Sequence, residues 1–170
     1  MNIVLTGFMG TGKSVVGRHL ANELRLPFMD VDSTIKKRAG KSIPEIFAAD
    51  GEAAFRKLEH EAIVELAQQD KTVISTGGGA LLDPRNREAL QRHGILVCLT
   101  AKMGTLLERL KEDLSRPLLA GANPEQKIEL LMKERESIYN LCPVQVATDG
   151  KTIAQVSAEI IQKLPSTWMS

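Results

Sequence analysis

Gly7-Phe8-Met9-Gly10-Thr11-Gly12-Lys13-Ser14 fits the pattern G-x-x-x-x-G-K-[ST] at every fixed position. An apolar strand pattern precedes it, and an amphipathic helix pattern (Val15, Val16, Leu20, Leu24) follows, which is the context this phosphate-binding motif requires. Glycines let the backbone wrap a phosphate with its N–H groups, and the helix start adds its positive dipole. Lys13 can then reach the outer phosphates of a nucleoside triphosphate, and the Ser14 hydroxyl can bind Mg²⁺. The acidic partner usual for such a site is missing from the end of the third strand, where Thr72-Val73-Ile74-Ser75 runs into Thr76-Gly77-Gly78-Gly79. Acid is instead found at the end of the second strand, in Phe28-Met29-Asp30-Val31-Asp32. Residues two apart on a strand share a face. Asp30 and Asp32 are therefore expected to point at one site beyond the carboxyl edge of the sheet, where α/β proteins bind ligands. One could serve the metal shell and the other could accept a proton from a hydroxyl.

Two arginines fall where apolar residues belong. In the helical pattern over 126–140, Ile128, Leu131, Met132, Ile138 and Tyr139 share one stripe, and Arg135 lies in its middle. In the pattern over 52–69, Phe55, Leu58, Ala62 and Leu66 form the stripe, Glu59 lies within it and Arg56 at its edge. An inward cation is costly unless an anion meets it. A protein carboxylate or a ligand anion would serve, and the helical pattern alone does not choose between them. Glu59 could orient Arg56, and two converging arginines suit bidentate grip of a carboxylate or phosphate. Gly77-Gly78-Gly79 would weaken any regular element, and makes sense where a ligand lies against the backbone.

The elements that must position these groups alternate along the chain. Strands are expected at 2–6, 27–30, 72–75, 95–99 and 144–147, and helices near 13–24, 52–69, 84–92, 103–112, 126–140 and 153–163. Several strands are apolar on both faces, as in a parallel sheet covered by helices on each side. The expectation is a single three-layer α/β domain spanning 1–170. Residues 33–49 and 113–124 look like inserts on that scaffold. The second carries two prolines and an arginine, Arg116, and reads as a lid.

Composition narrows the function classes. At 170 residues the chain can bury a core without staples. Basic and acidic residues number 22 and 21, for a net charge of +1, so no electrostatic footprint for nucleic acid or an anionic membrane exists. No basic, apolar leader pattern or membrane-length apolar stretch is read, and a cytoplasmic monomer is expected. Cys98 and Cys142 do not make a metal pattern and read as two reduced thiols. His19, His60 and His93 read as surface or rim residues.

Together these pieces resemble the shikimate kinase family. The matching segments are GFMGTGKS, FMDVD, GKSIPEIFAADGEAAFRKLE over 40–59, the GGG of 77–79, SRPLL over 115–119 and RESIY over 135–139. They occur in the family's order across nearly the whole chain. The resemblance implies a P-loop kinase fold with five parallel strands in the order 2-3-1-4-5, a substrate-binding insert over 33–60 and a mobile lid. It implies ATP as co-substrate, met by Gly10, Thr11, Gly12, Lys13, Ser14 and Val15, with Arg109 flanking the adenine and Arg116 closing over the phosphates. Mg²⁺ would be held by Ser14 directly and by Asp30 through water. Shikimate would be held by its carboxylate on Arg56 and Arg135, and by its hydroxyls on Asp32 and the N–H groups of Gly78 and Gly79. Lys13, Asp32 and Arg116 would be the catalytic set. The loop over 147–152 falls where the family has its adenine loop, with no contact named there. Two rival readings remain at this stage: a gluconate or nucleoside monophosphate kinase, which has no need of the arginine pair, and a nucleotide-switched regulatory module, which has no use for Asp32.

Overall fold

The computed structural model describes residues 1–111, 121 and 123–168. Five strands form one wholly parallel sheet: β1 (Asn2–Gly7), β2 (Phe28–Asp30), β3 (Val73–Ser75), β4 (Gly94–Thr100) and β5 (Val144–Ala147), in the order β2-β3-β1-β4-β5. Each strand lies within one residue of its expected bounds, and the strand order is the one the resemblance implies. β1 sits centrally, pairing Leu5 with Ser75 on one side and with Val97 on the other.

Strand alternation divides the apolar residues between two cores. Val4, Ile74, Leu96 and Cys98 face one layer, and Ile3, Leu5, Val73, Val97 and Leu99 face the other. The first layer holds α3 (Ile43–Ala67) and α4 (Pro84–His93), and the second holds α1 (Lys13–Leu24) and α7 (Ile153–Lys163). All six residues of β1 are buried, which is why the strand reads as apolar on both faces. Fully burying one such Val, Leu or Ile side chain is worth about 1.5–3 kcal/mol. A third, smaller core packs Phe8 and Met9 of the loop after β1 against α5 (Met103–Leu110) and α6 (Pro124–Tyr139).

The segment expected as an insert contains regular structure. α2 (Val31–Ala39) is capped by Asp30 and closed by Gly40 in the left-handed conformation. Its sequence is dominated by charge, with Val31 and Ile35 alone buried among the described residues, too short an apolar stripe to announce a helix. α3 starts at Ile43, well before the expected residue 52. Ser42 and Glu45 form a reciprocal capping box there, with Pro44 in the first turn. Gly51, at φ 83° and ψ 173°, breaks the helical conformation within α3. That break is why the apolar period read from the sequence began only beyond it.

Candidate active site

β1 ends at Gly7, and α1 begins at Lys13. Between them the chain folds back on itself. The Thr11 hydroxyl donates to the Phe8 carbonyl at 2.7 Å, and the Lys13 ammonium donates to the carbonyls of Gly7 and Phe8 at 2.8 and 2.9 Å. Gly10 and Gly12 both have positive φ, and Gly12 forms the N-cap of α1 with no side-chain oxygen to occupy the first N–H groups. That helix start is thus free to meet an anion. Val15, one residue into the helix beyond Ser14, is half exposed. Arg109 on α5 donates to the Gly10 carbonyl at 3.1 Å and to the Thr148 hydroxyl at 3.0 Å. It so ties the loop after β1 to the loop after β5. Asp149 closes the same corner, accepting from the Lys102 N–H at 2.9 Å and the Thr105 hydroxyl at 2.6 Å. Thr148 and Asp149 had no assignment in the sequence, because their partners lie more than 35 residues away.

Asp30 and Asp32 reach one cleft by a different route from the one expected. β2 stops at Asp30, and α2 begins at Val31, so Asp32 stands on the first helical turn and not on the strand. The two acids therefore do not share a strand face, contrary to expectation. What brings the two carboxylates together is the turn that Asp30 caps, its Oδ1 accepting from the Ser33 N–H at 2.9 Å. Its Oδ2 accepts from the Ser14 hydroxyl at 2.8 Å. Both acids line a cleft of about 560 Å³ together with Lys13, Ser14 and Gly78.

Beside it lies a second cavity, walled by Arg56, Glu59, Arg135, Phe47 and the three glycines, with Asp32 common to both. Arg135 is 2% exposed, and its Nε and Nη1 are buried without a hydrogen-bond partner among the described residues. Arg56 differs: it donates to Glu59 at 2.8 Å and to Glu52 at 3.3 Å. Protein carboxylates thus meet Arg56, and none is hydrogen-bonded to Arg135 Nε or Nη1 among the described residues. Burial acts against the Arg56 charge, but Glu59 and Glu52 outweigh it and raise its pKa. Burial pushes the Glu59 carboxyl upward, a rise that Arg56 opposes without cancelling. The glycines make room for the cations. A side chain at Gly78 would crowd Arg135 Nη1 at 3.0 Å, and one at Gly79 would crowd Arg56 Nη2 at 2.8 Å. The Tyr139 hydroxyl donates to the Gly78 carbonyl at 2.5 Å. The sequence placed Tyr139 on the apolar stripe and gave no sign of this bond. Phe47, whose ring meets that of Phe55 at a tilt of 41° with centroids 4.8 Å apart, was hidden by the break at Gly51.

Other candidates fall elsewhere. Arg116 and most of 113–124 lie outside the described residues. His19 and His93 are exposed. His60 bonds Asn86 at 2.7 Å, and the Asn86 amide donates to the Ala80 carbonyl at 2.9 Å, bracing the end of the glycine loop. Cys98 and Cys142, distant in sequence, are both free and buried, and Cys98 Sγ donates to the Leu99 carbonyl at 3.8 Å. The neighbouring Cys142 thiol and burial raise the Cys98 thiol well above its ordinary value.

A phosphate-type loop thus adjoins a cavity that holds a buried arginine, partly unsatisfied among the described residues. A family model described as shikimate kinase matches residues 9–165. The chain belongs to the shikimate kinase family. Membership makes it an ATP-dependent phosphotransferase. It is 48% identical over 159 residues to a shikimate kinase of Geobacter sulfurreducens, covering 94% of this chain and 88% of that one. It is 45% identical over 163 residues to a shikimate kinase of Thermus thermophilus, covering 95% and 89%. Among solved structures it is similar to a shikimate kinase from Acinetobacter baumannii in complex with shikimate, with a TM-score of 0.92, 40% identity and coverage of 95% and 90%. A gluconokinase from Sinorhizobium meliloti, at 22% identity and a TM-score of 0.63, shares the fold. Among the described residues no helix is long and apolar enough to cross a membrane.

Proposed function

We propose that the protein transfers the γ-phosphoryl group of ATP to the 3-hydroxyl of shikimate, giving shikimate 3-phosphate and ADP, a step toward chorismate and the aromatic amino acids. The observation that carries this reading is Arg135. It is a buried guanidinium with two nitrogens unsatisfied among the described residues, in a cavity that meets the phosphate cleft at Asp32. Such a cation calls for an anionic acceptor, and the carboxylate of shikimate supplies one within the same molecule as the nucleophile.

Each residue then has a role. The N–H groups of Gly10, Thr11, Gly12, Lys13 and Ser14, with Val15 behind them, cradle the phosphates of ATP. Lys13 exchanges its two carbonyl partners for the outer phosphate oxygens, and Arg109 flanks the adenine. Ser14 and Asp30 are hard oxygen donors already in contact, and a hydroxyl with one carboxylate suits Mg²⁺, which keeps most of its water. When bound there, Mg²⁺ neutralises charge on the transferring group. Arg135 and Arg56 hold the carboxylate, the latter oriented by Glu59. The N–H groups of Gly78 and Gly79 meet the hydroxyls. Asp32, common to both cavities, aligns the 3-hydroxyl and takes its proton as the new P–O bond forms and the bond to the bridging β,γ-oxygen breaks. Arg116 closes over the phosphates from the lid, and closure excludes water as competing acceptor. The enzyme works in this reading as a cytoplasmic monomer.

The test is ADP release with ATP and Mg²⁺, comparing shikimate with gluconate, nucleoside monophosphates and no acceptor. Turnover with shikimate alone is expected. Turnover with another acceptor, or binding of ATP without acceptor-dependent turnover, overturns the reading.

A further inference from the structure

Tyr139 stands four residues after Arg135 on α6, and residues so spaced lie one above the other on one helix face. Arg135 reaches the acceptor cavity, while the Tyr139 hydroxyl donates to the Gly78 carbonyl across 61 residues of sequence. One helical turn therefore touches two parts of the same cavity. The phenol ring is wedged between two cores, packing against the Cys98 and Cys142 side and against the Phe8 and Met9 side. Its hydroxyl is thus held by a fixed ring and not by a flexible stem.

The partner it holds needs holding. Gly77, Gly78 and Gly79 have no side chains with which to anchor themselves, and glycine backbone is the most expensive to order. Side-chain anchors are ruled out there, because they would crowd Glu59, Arg135 and Arg56. A tether must come from outside the loop. The peptide joining Gly78 to Gly79 is trans. In a trans peptide the carbonyl and the N–H point to opposite sides. With the Gly78 oxygen drawn toward α6, the Gly79 N–H turns away from α6, on a residue whose missing side chain leaves room for the Arg56 guanidinium. Burial raises the pKa of Tyr139 above its ordinary value, so the hydroxyl keeps its proton and remains a donor.

We infer that Tyr139 is a positioning residue for the acceptor: it fixes the Gly78–Gly79 peptide so that the Gly79 N–H and Arg135 grip hydroxyl and carboxylate as one unit. The inference rests on the acceptor reading of this cavity given above. Tyr139 does not line the acceptor cavity. It sets the direction of a backbone donor.

The test is Tyr139→Phe, which removes one oxygen and keeps the ring. The KM for shikimate should rise about tenfold, equivalent to about 1.4 kcal/mol, with the KM for MgATP unchanged. The decisive readout uses deoxy analogues of shikimate, each lacking one of the two non-reacting hydroxyls. For the analogue missing the hydroxyl that Gly79 serves, wild type and Tyr139→Phe should have the same KM; for the other, the tenfold gap should persist. A uniform loss across shikimate and both analogues would mean damaged packing and would sink the idea, as would no change at all. In the wild-type protein, shikimate should also slow hydrogen exchange at the Gly79 N–H, a measurement that needs no variant; unchanged exchange overturns the inference. Arg135→Ala separates the two levels. If wild type does not turn over shikimate, the acceptor reading fails. If it does, and Arg135→Ala raises the shikimate KM while Tyr139→Phe leaves it unmoved, only the role of Tyr139 fails.

Discussion

Glu59 is 1% exposed and lies between Arg56 and the glycine loop, with its Oε1 unpartnered among the described residues. Its pKa is raised by burial above the ordinary 4.5 despite the adjacent guanidinium. From that value upward the native state holds on to a proton that the unfolded chain releases. The contribution to stability is fully present below 4.5 and is lost as pH climbs through the folded pKa. Glu59→Gln has no such titration. Thermal melts of the ligand-free protein between about pH 5 and pH 8 should therefore show a shallower decline for the variant than for wild type. The same variant leaves Arg56 without its closest carboxylate, and a raised shikimate KM should accompany the flatter profile. Asp32 is a sharper case. Asp32→Asn keeps the size and most hydrogen bonding of the side chain but cannot take the hydroxyl proton. Single-turnover phosphoryl transfer should fall by about 10²-fold or more, while MgATP titrations stay as in wild type. Transfer at the wild-type rate would remove Asp32 from the mechanism.

The loop after β1 depends on glycines more strictly than the motif alone conveys. Gly7 has φ 131°, and a Cβ placed there would collide with the Leu99 carbonyl oxygen on the neighbouring strand. That carbonyl belongs to the central sheet and cannot move aside. Gly7→Ala should cost on the order of 3 kcal/mol, read as a lowered denaturation midpoint, and should impair nucleotide binding as the loop is displaced. Gly51 makes the contrast. Its φ is 83°, but a Cβ there meets nothing within 4 Å, so substitution strains the backbone without a collision. Local pattern revealed the strands, the phosphate loop and the inward Arg135, because each is written in a few consecutive or periodic residues. α2 escaped notice because only Val31 and Ile35 mark its buried side. The helical part of α3 before Gly51 escaped because the break resets the period. The Tyr139–Gly78 and Cys98–Cys142 pairs escaped for another reason: nothing near either residue in sequence encodes its partner. The two acids were expected together and are together, though a helix cap does what strand alternation was expected to do.

At the scale of the molecule, the phosphate cleft and the acceptor cavity meet at Asp32, so ligands should stabilise the whole cooperative unit. At about a hundred times its Kd, a ligand that binds only the native state adds about 2.7 kcal/mol, a rise in Tm of several degrees for a chain of this length. Shikimate should produce that rise in wild type and not in Arg135→Ala, and MgATP should produce it in both; a scanning fluorimetry titration reads both effects. The sheet order carries a further consequence. β1 lies at the centre and feeds the phosphate loop directly into α1. Apart from Met9 of the phosphate loop, the groups around the acceptor cavity come from the other crossovers: α2 and α3 between β2 and β3, the glycine loop after β3, and α6 between β4 and β5. These segments behave as interchangeable cassettes clipped to a constant engine. An exchange of acceptor is therefore a matter of grafting connections, with the phosphate loop inherited intact and Asp32 travelling with the α2 graft.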